Sequence, residues 1–502
     1  MPGGDGGWEA NEKRAWGFST VLCWQLTSSI PPIVYPSPLI AFSFMMGAMQ
    51  VVLEALHQGD YDTAFETLVR TLALAQGQDA AEAALLLAEA YSLYGEGGIE
   101  GANRALEEGL VSVPTLESHP RYRSILGEMR ALEGAPEEDV RQILTKTSDP
   151  HALYHQAQAL MYLGLPEEAL EVLNQPLELP AFLAWRAHTL QGKAYERMGQ
   201  AAEAAAAYKE ASRLAVGLEH YWNLIDASAM FVEAGLGHEA LQALREAQPD
   251  IPELEDPEDA ATRYYLEARS QLLLGNPGLA LDAIQRALEK EREGAEPAHG
   301  TPLVHGQALM QLGHPREAIE AFREAVGRAE DSDKSYALHE LAVAYLESGE
   351  LAEAESTLRE VMRDPEYGYQ GEAYGDLAEI LYRLGRYEEA SQAAHEAIRL
   401  GSLSAGHLIL GNLACDLLHL EEALEHYALA SEEAPEGSRD WVTAQQMAVD
   451  TLAQLGFRRP DEIISRSEAV LPYLHPADEW HQTLNNYAER ARNMIGGNRT
   501  LN

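Results

Sequence analysis

Three ladders of small residues, kept in phase over most of the chain, restrict what this sequence can fold into more than any other feature. The plainest copy of the underlying unit is residues 376–400, DLAEILYRLGRYEEASQAAHEAIRL. Gly385 divides two short amphipathic stretches. Ala378 lies seven residues before it, Ala390 five after it and Ala397 seven after that. Leu377, Leu381 and Ile398 recur at helical spacing and supply apolar faces. Glycine ends a helix at little cost because it accepts positive φ. The small residues allow two helices to approach closely, so the unit reads as a helical hairpin.

The alanine after the turn recurs at Ala169, Ala204, Ala240, Ala280, Ala318, Ala354, Ala390 and Ala423, in steps of 35, 36, 40, 38, 36, 36 and 33 residues. The turn glycines are Gly164, Gly199, Gly235, Gly275, Gly313, Gly349 and Gly385, and Leu418 takes the place in the last copy. The later small position reads Ala211, Ala247, Ala287, Ala325, Val361, Ala397 and Ala430. The earlier one reads Gly192, Ser228, Ala268, Gly306, Ala342, Ala378 and Gly411. A fixed period of this length is the signature of a repeat array, in which each hairpin buries its apolar face against its neighbours.

With the aromatic of the second helix (Tyr208, Phe322, Tyr427) and a terminal proline (Pro252, Pro435) added, the unit resembles the tetratricopeptide repeat, whose 34 residues form helix–turn–helix. Most units here are longer, and the first-helix tryptophan of that family is mostly absent. The resemblance implies an all-α, right-handed α-solenoid of about 11–12 repeats with a C-terminal capping helix. It also implies a function: non-catalytic protein binding along a concave face lined by first helices. Carried over unit by unit, the inward-facing positions are Tyr154, Gln158, Lys193, Trp222, Ile225, Tyr265, Arg269, Gln307, His339, Glu379, Asn412 and Asp450. Such a mixture suits an extended peptide or a helix, and aromatic and arginine groups are the usual anchors, so Trp222, Tyr265 and Arg269 come first. The Lys/Asn carboxylate clamp of chaperone-binding relatives does not occur as a set, which disfavours a chaperone co-factor.

Charge narrows the partner. With 80 acidic against 36 basic residues the formal net charge is −44. Nucleic-acid backbones and anionic membrane surfaces are repelled, whereas a basic protein or peptide suits the field; the same charge also serves plain solubility. Two cysteines, Cys23 and Cys415, allow no disulfide framework and no zinc-type pair, consistent with a reducing, cytoplasmic setting.

Nothing in the motifs amounts to catalysis or a cofactor site. His151 and His155 share one helical face at a spacing that could present two metal ligands, but no third is near in sequence. No Gly-x-Ser-x-Gly occurs. The glycines at 95, 97, 98 and 101 neither follow a strand nor precede a P-loop lysine, so they read as a swollen helix–helix turn. The Glu-Glu-Ala starts of second helices (Glu167, Glu388, Glu421) complement the helix dipole. We therefore expect no enzyme.

Along the chain, residues 1–48 stand apart. No Asp, Glu, Lys or Arg occurs from 15 to 53, and four prolines lie between 31 and 38. A start codon placed too early, before Met45, Met46 or Met49, is the favoured reading; a secretory signal or a membrane anchor are the alternatives, each weakened by polar residues or prolines in the apolar run. Divergent repeats are expected over 49–145, with Gly59 and Gly134 at turns and Asp139 where alanine is usual. Regular repeats follow over 146–292 and 303–434. The acidic stretch 248–260 and the Gly/Pro stretch 293–302 read as loops, the second as a joint. Residues 435–495 read as a degenerate last hairpin and a capping helix with Trp480, Leu484, Tyr487, Ala491 and Ile495 on one face, and 496–502 as a disordered tail. A peptide-sensing regulator and an envelope-assembly protein, exported or anchored through residues 1–44, are the rival functions.

Overall fold

The computed structural model describes residues 38–93, 95–247 and 256–499. Residues 1–37, and with them most of the uncharged N-terminal segment, lie outside the described residues, as do 248–255 of the acidic stretch. The described residues form twenty-five α-helices and no strand, and they divide into two compact units after Ala295.

The first unit runs α1 (Pro38–Gln58), α2 (Tyr61–Leu74), α3 (Gln78–Ser92), α4 (Ile99–Ser112), α5 (Pro120–Leu132), α6 (Glu137–Ile143), α7 (Pro150–Tyr162), α8 (Pro166–Leu173), α9 (Ala181–Arg197), α10 (Ala201–Leu214), α11 (Gly217–Glu233), α12 (Gly237–Glu246), α13 (Pro257–Leu273) and α14 (Pro277–Glu293). The second runs α15 (Gly300–Gln311), α16 (Pro315–Arg328), α17 (Asp331–Ser348), α18 (Leu351–Val361), α19 (Gln370–Arg383), α20 (Tyr387–Arg399), α21 (Leu403–Asp416), α22 (Leu420–Glu433), α23 (Arg439–Gln454), α24 (Pro460–Val470) and α25 (Glu479–Arg499). In each unit helices pack on their neighbours in sequence, save that α7 packs on α5 rather than on the short α6, and in the second unit every first helix from α15 to α23 also touches the next first helix. That is solenoid packing, with a core made by stacking rather than by one central cluster.

The turns repeat one hydrogen-bond pattern. At Gly385 (φ 74°) its N–H donates to the Tyr382 carbonyl at 2.9 Å, and the Arg386 N–H reaches back to Leu381 at 2.9 Å. This is the Schellman closure, which needs a left-handed residue at its centre. Leu418 makes the same two bonds, to Cys415 and from His419 to Ala414, at φ 61° and with its side chain 75% exposed.

The earlier small position is matched in size to the residue sixteen places on, in the second helix. Gly192, Gly306 and Gly411 lie against the rings of Tyr208, Phe322 and Tyr427; a Cβ on Gly306 would stand 2.5 Å from the Phe322 ring. Where the first residue is Ala268 or Ala342, the residue sixteen on is Ile284 or Leu358, buried in turn.

Several boundaries differ from expectation. Helix α1 begins at Pro38, so the change in composition near 49 falls inside a helix. Gly101 is no turn residue: it sits within α4, where a Cβ would meet the Tyr91 ring at 2.4 Å, and only Gly95–Gly98 form the 3-10 connection. The acidic loop ends at Asp256, whose carboxylate caps α13 by accepting from the Glu258 N–H at 3.0 Å. Gly300 and Pro302 belong to the first turn of α15, since proline costs nothing where the N–H has no partner. Residues 496–499, expected to be disordered, continue α25. Asp139 lies exposed on α6 and Val140 fills the buried place beside it.

Candidate functional site

Within each compact unit first helices face one another from one hairpin to the next, and their polar side chains are joined at intervals close to the repeat length. Thr189 donates to Asn223 at 2.7 Å, Arg269 to Glu233 at 2.6 Å, Gln307 to Glu340 at 3.2 Å and Tyr382 to Asp416 at 3.0 Å. His339 stands 2.8 Å from Asp376. One repeat of spacing in sequence therefore becomes side-by-side contact in space.

In the first part of the first unit this face is filled. Helix α1 packs against α9, and Arg186 bonds Phe182 O and the Tyr61 hydroxyl. Tyr154, expected to line an open surface, is 4% exposed within the same core as Leu56, Phe182 and Leu183. Gln158 and Lys193 are half-buried. A regular repeat register implies an inward direction for these residues but says nothing about how tightly neighbouring hairpins curl, and here the curl brings α1 onto α9.

Beneath this face lies a buried ionic network. Glu89 on α3, fully buried, takes hydrogen bonds from Arg121 on α5 and from His151 (2.8 Å) and His155 (3.0 Å) on α7. Arg121 also reaches Glu82 at 2.9 Å, and the second ring nitrogen of His155 meets Glu128 at 2.5 Å. Burial opposes ionisation of Glu89, but Arg121 and the two histidines outweigh it and hold the carboxyl well below its usual range. Burial alone would make His155 neutral; Glu128 and Glu89 overcome it and push the ring up to about 9. Burial pushes Glu128 up against the attraction of His155. Each ring nitrogen of His155 thus has its own carboxylate partner, Glu128 at one and Glu89 at the other, which is the cause of the upward shift. The His151/His155 pair is thus part of this network. No grouping of three or more His, Cys, Asp or Glu among the described residues could hold a metal ion.

Further along, Trp222 and Tyr265 are half-buried against one core; Trp222 stacks edge-on with Tyr221 at 4.8 Å. Arg269 lies 5.8 Å from the Tyr265 ring centre while paired to Glu233. Ile225 is 4% exposed and therefore core.

In the second unit Gln307 binds both the Tyr336 hydroxyl, at 3.3 Å, and Glu340. His339, 8% exposed, is clamped between the Tyr367 hydroxyl at 2.7 Å and Asp376. Tyr336, Tyr367 and Tyr369 gather here, with Tyr369 43% exposed. Sequence inspection picked out Gln307 and His339 but missed the three tyrosines. Two of them, Tyr367 and Tyr369, sit on the connection between α18 and α19, outside the helical register. Asn412 accepts from Tyr427 of its own hairpin at 2.8 Å, Glu379 is bonded by Arg383, and Asp450 accepts from Tyr487 at 3.1 Å. Arg439 at the start of α23 reaches Glu347 at the end of α17 at 2.8 Å, across two intervening hairpins. Among the described residues no helix is long and apolar enough to cross a membrane.

Sequence profiles of the tetratricopeptide repeat match residues 154–218, 303–367 and 371–400. No curated protein matches the chain. Solved structures similar to it include PilF of Pseudomonas aeruginosa (17% identity, 46% of this chain and 98% of that one, TM-score 0.35). A tetratricopeptide repeat protein from Parabacteroides merdae is 16% identical over 54% of this chain and 99% of its own, with a TM-score of 0.41. The Cut9–Hcn1 hetero-tetramer of the APC/C is 12% identical over 84% and 98%, with a TM-score of 0.37. Phase-locked small residues, left-handed turns closed by the same two hydrogen bonds, and profile matches in both units lead to one assignment: the chain carries tetratricopeptide repeats, over residues 154–218, 303–367 and 371–400, within an all-α repeat array.

Proposed function

We propose that the chain is a non-catalytic adaptor that binds a peptide or protein segment along its first helices. The observation that carries this reading is the row α15, α17, α19, α21 and α23. Its members stand side by side and keep part-exposed aromatic, amide and carboxylate groups, among them Gln307, Tyr336, Glu340 and Asn412. Such a surface offers hydrogen bonds and ring faces to an extended chain. The net charge of −44 favours a basic segment over an anionic polymer. In the first unit the contact would fall on Trp222, Tyr265 and Arg269, while Ile225 supports it from the core. A charged scaffold of this kind suits the cytoplasm.

Affinity capture from native extract tests the reading, comparing the full chain with a Trp222→Ala/Tyr265→Ala/Arg269→Ala variant and a Gln307→Ala/Tyr336→Ala variant. Circular dichroism establishes that each variant is folded. A protein retained by the parent and lost by one folded variant supports the adaptor and locates its contact. A partner held equally by all three moves the interface away from the first helices, and no retained protein removes the reading.

A further inference from the structure

Three tyrosines of the second unit, Tyr336, Tyr367 and Tyr369, stand where a first-helix face meets a connection, and their setting suits one kind of ligand. Tyr369 is the residue before α19, yet its side chain makes no capping bond and the residue stays 43% exposed. It is inclined 54° to the Tyr336 ring at 6.2 Å and 56° to the Tyr367 ring at 5.8 Å. The two rings behind it are fixed: Tyr367 through its bond to His339, and Tyr336 through Gln307. Glu340 lies beside them, engaged by the neutral amide of Gln307 and by the Tyr336 phenol, neither of which cancels its charge. Glu372, exposed on the first turn of α19, adds a second carboxylate to the electrostatic surroundings of Tyr367.

The geometry points to a cation-recognition patch in which a lysine or arginine side chain of a basic peptide lies on the Tyr369 and Tyr336 rings beside Glu340 and Glu372. The face of a tyrosine ring is the negative end of its quadrupole and attracts an ammonium or guanidinium placed over it. Carboxylates in the neighbourhood of the rings strengthen that attraction, while they penalise an apolar side chain and repel an anion. The Tyr336 ring, held by Gln307 in a part-buried hydrogen bond, loses little freedom when the ligand arrives. The inference rests on the adaptor reading, but it names the chemistry of one contact on that surface.

A fluorescein-labelled nonapeptide alternating lysine and glycine is titrated with the full chain and followed by anisotropy at two salt concentrations. Saturable binding is expected, weakened about 3- to 10-fold by Tyr369→Leu, which keeps bulk but removes the ring face. Tyr369→Phe should bind like the parent, and Glu340→Gln should weaken binding. Glu432→Gln removes the same charge from an exposed site on α22 and should change little. A glutamate–glycine nonapeptide should not bind. The inference is overturned if Tyr369→Leu binds as the parent does, if Glu432→Gln costs as much as Glu340→Gln, or if the lysine peptide does not saturate. A captured partner together with no lysine-peptide binding removes the patch alone. Peptide binding sensitive to Tyr369→Leu with no captured partner removes the adaptor reading and leaves the patch.

Discussion

Gly306→Ala is the substitution that most directly probes how these hairpins close. Alanine in place of glycine inside a helix normally stabilises by about 1 kcal/mol. Here the added Cβ would stand 2.5, 2.7 and 2.8 Å from three ring carbons of Phe322, whose side chain is fully buried and has nowhere to turn. Overpacking of that kind costs about 1–3 kcal/mol, so the net effect should be a loss of roughly 1 kcal/mol despite the gain in propensity. Phe322→Leu alone should also destabilise, by leaving a void. The double variant recreates the Ala/Leu pairing that Ala342 and Leu358 already show, and should be no worse than Phe322→Leu alone. The cycle should therefore return a favourable coupling of about 1–3 kcal/mol. Long repeat arrays need not unfold in one step, so the readout should be local: amide hydrogen exchange in peptides from α15 and α16. A Gly306→Ala protein as well protected as the parent, or a coupling near zero, would refute the size-matching argument.

Other expectations follow from particular residues. Leu418→Gly relieves a left-handed leucine that makes the same turn bonds as its glycine counterparts; since αL costs a non-glycine residue about 1–2 kcal/mol, exchange in α21 and α22 should slow, and no slowing would contradict the strain. The ring of His155 is raised from 6.5 to about 9, so its contribution is complete below pH 6.5 and is lost as pH rises through about 9. Unfolding temperature should accordingly fall over that window, by the equivalent of roughly 3 kcal/mol at most, and His155→Gln should flatten the slope. Arg121→Met leaves Glu89 buried without its strongest partner and should cost about 3–5 kcal/mol, read as lost exchange protection in α3, α5 and α7.

Much of the hairpin was legible from residue order alone. Period, turn position and the small residues on helix faces are local properties, set by which residues tolerate positive φ and which let two helices approach. Leu418 was recognisable as a turn residue because the phase around it is unbroken. The size rule was also present, in the sixteen-residue offset between Gly306 and Phe322, though it is visible only once one knows that the two face each other. The candidate site was less legible. Gln307 and His339 stand on first helices, where register puts them, whereas Tyr367 and Tyr369 lie on a connection whose path no period describes. Tyr154 was assigned to a surface that the packing of α1 on α9 had already covered. Glu89, Arg121, Glu128 and His155 come from three hairpins, and a charge buried among alanines and leucines looks, in sequence, like any other charge on a solvated face. Residue order by itself determined the repeating hairpin, because small residues and left-handed turns act within some forty positions. Only tertiary structure decided which charges and rings meet, because curl and stacking between hairpins depend on the summed shapes of many side chains, and no single position carries that sum.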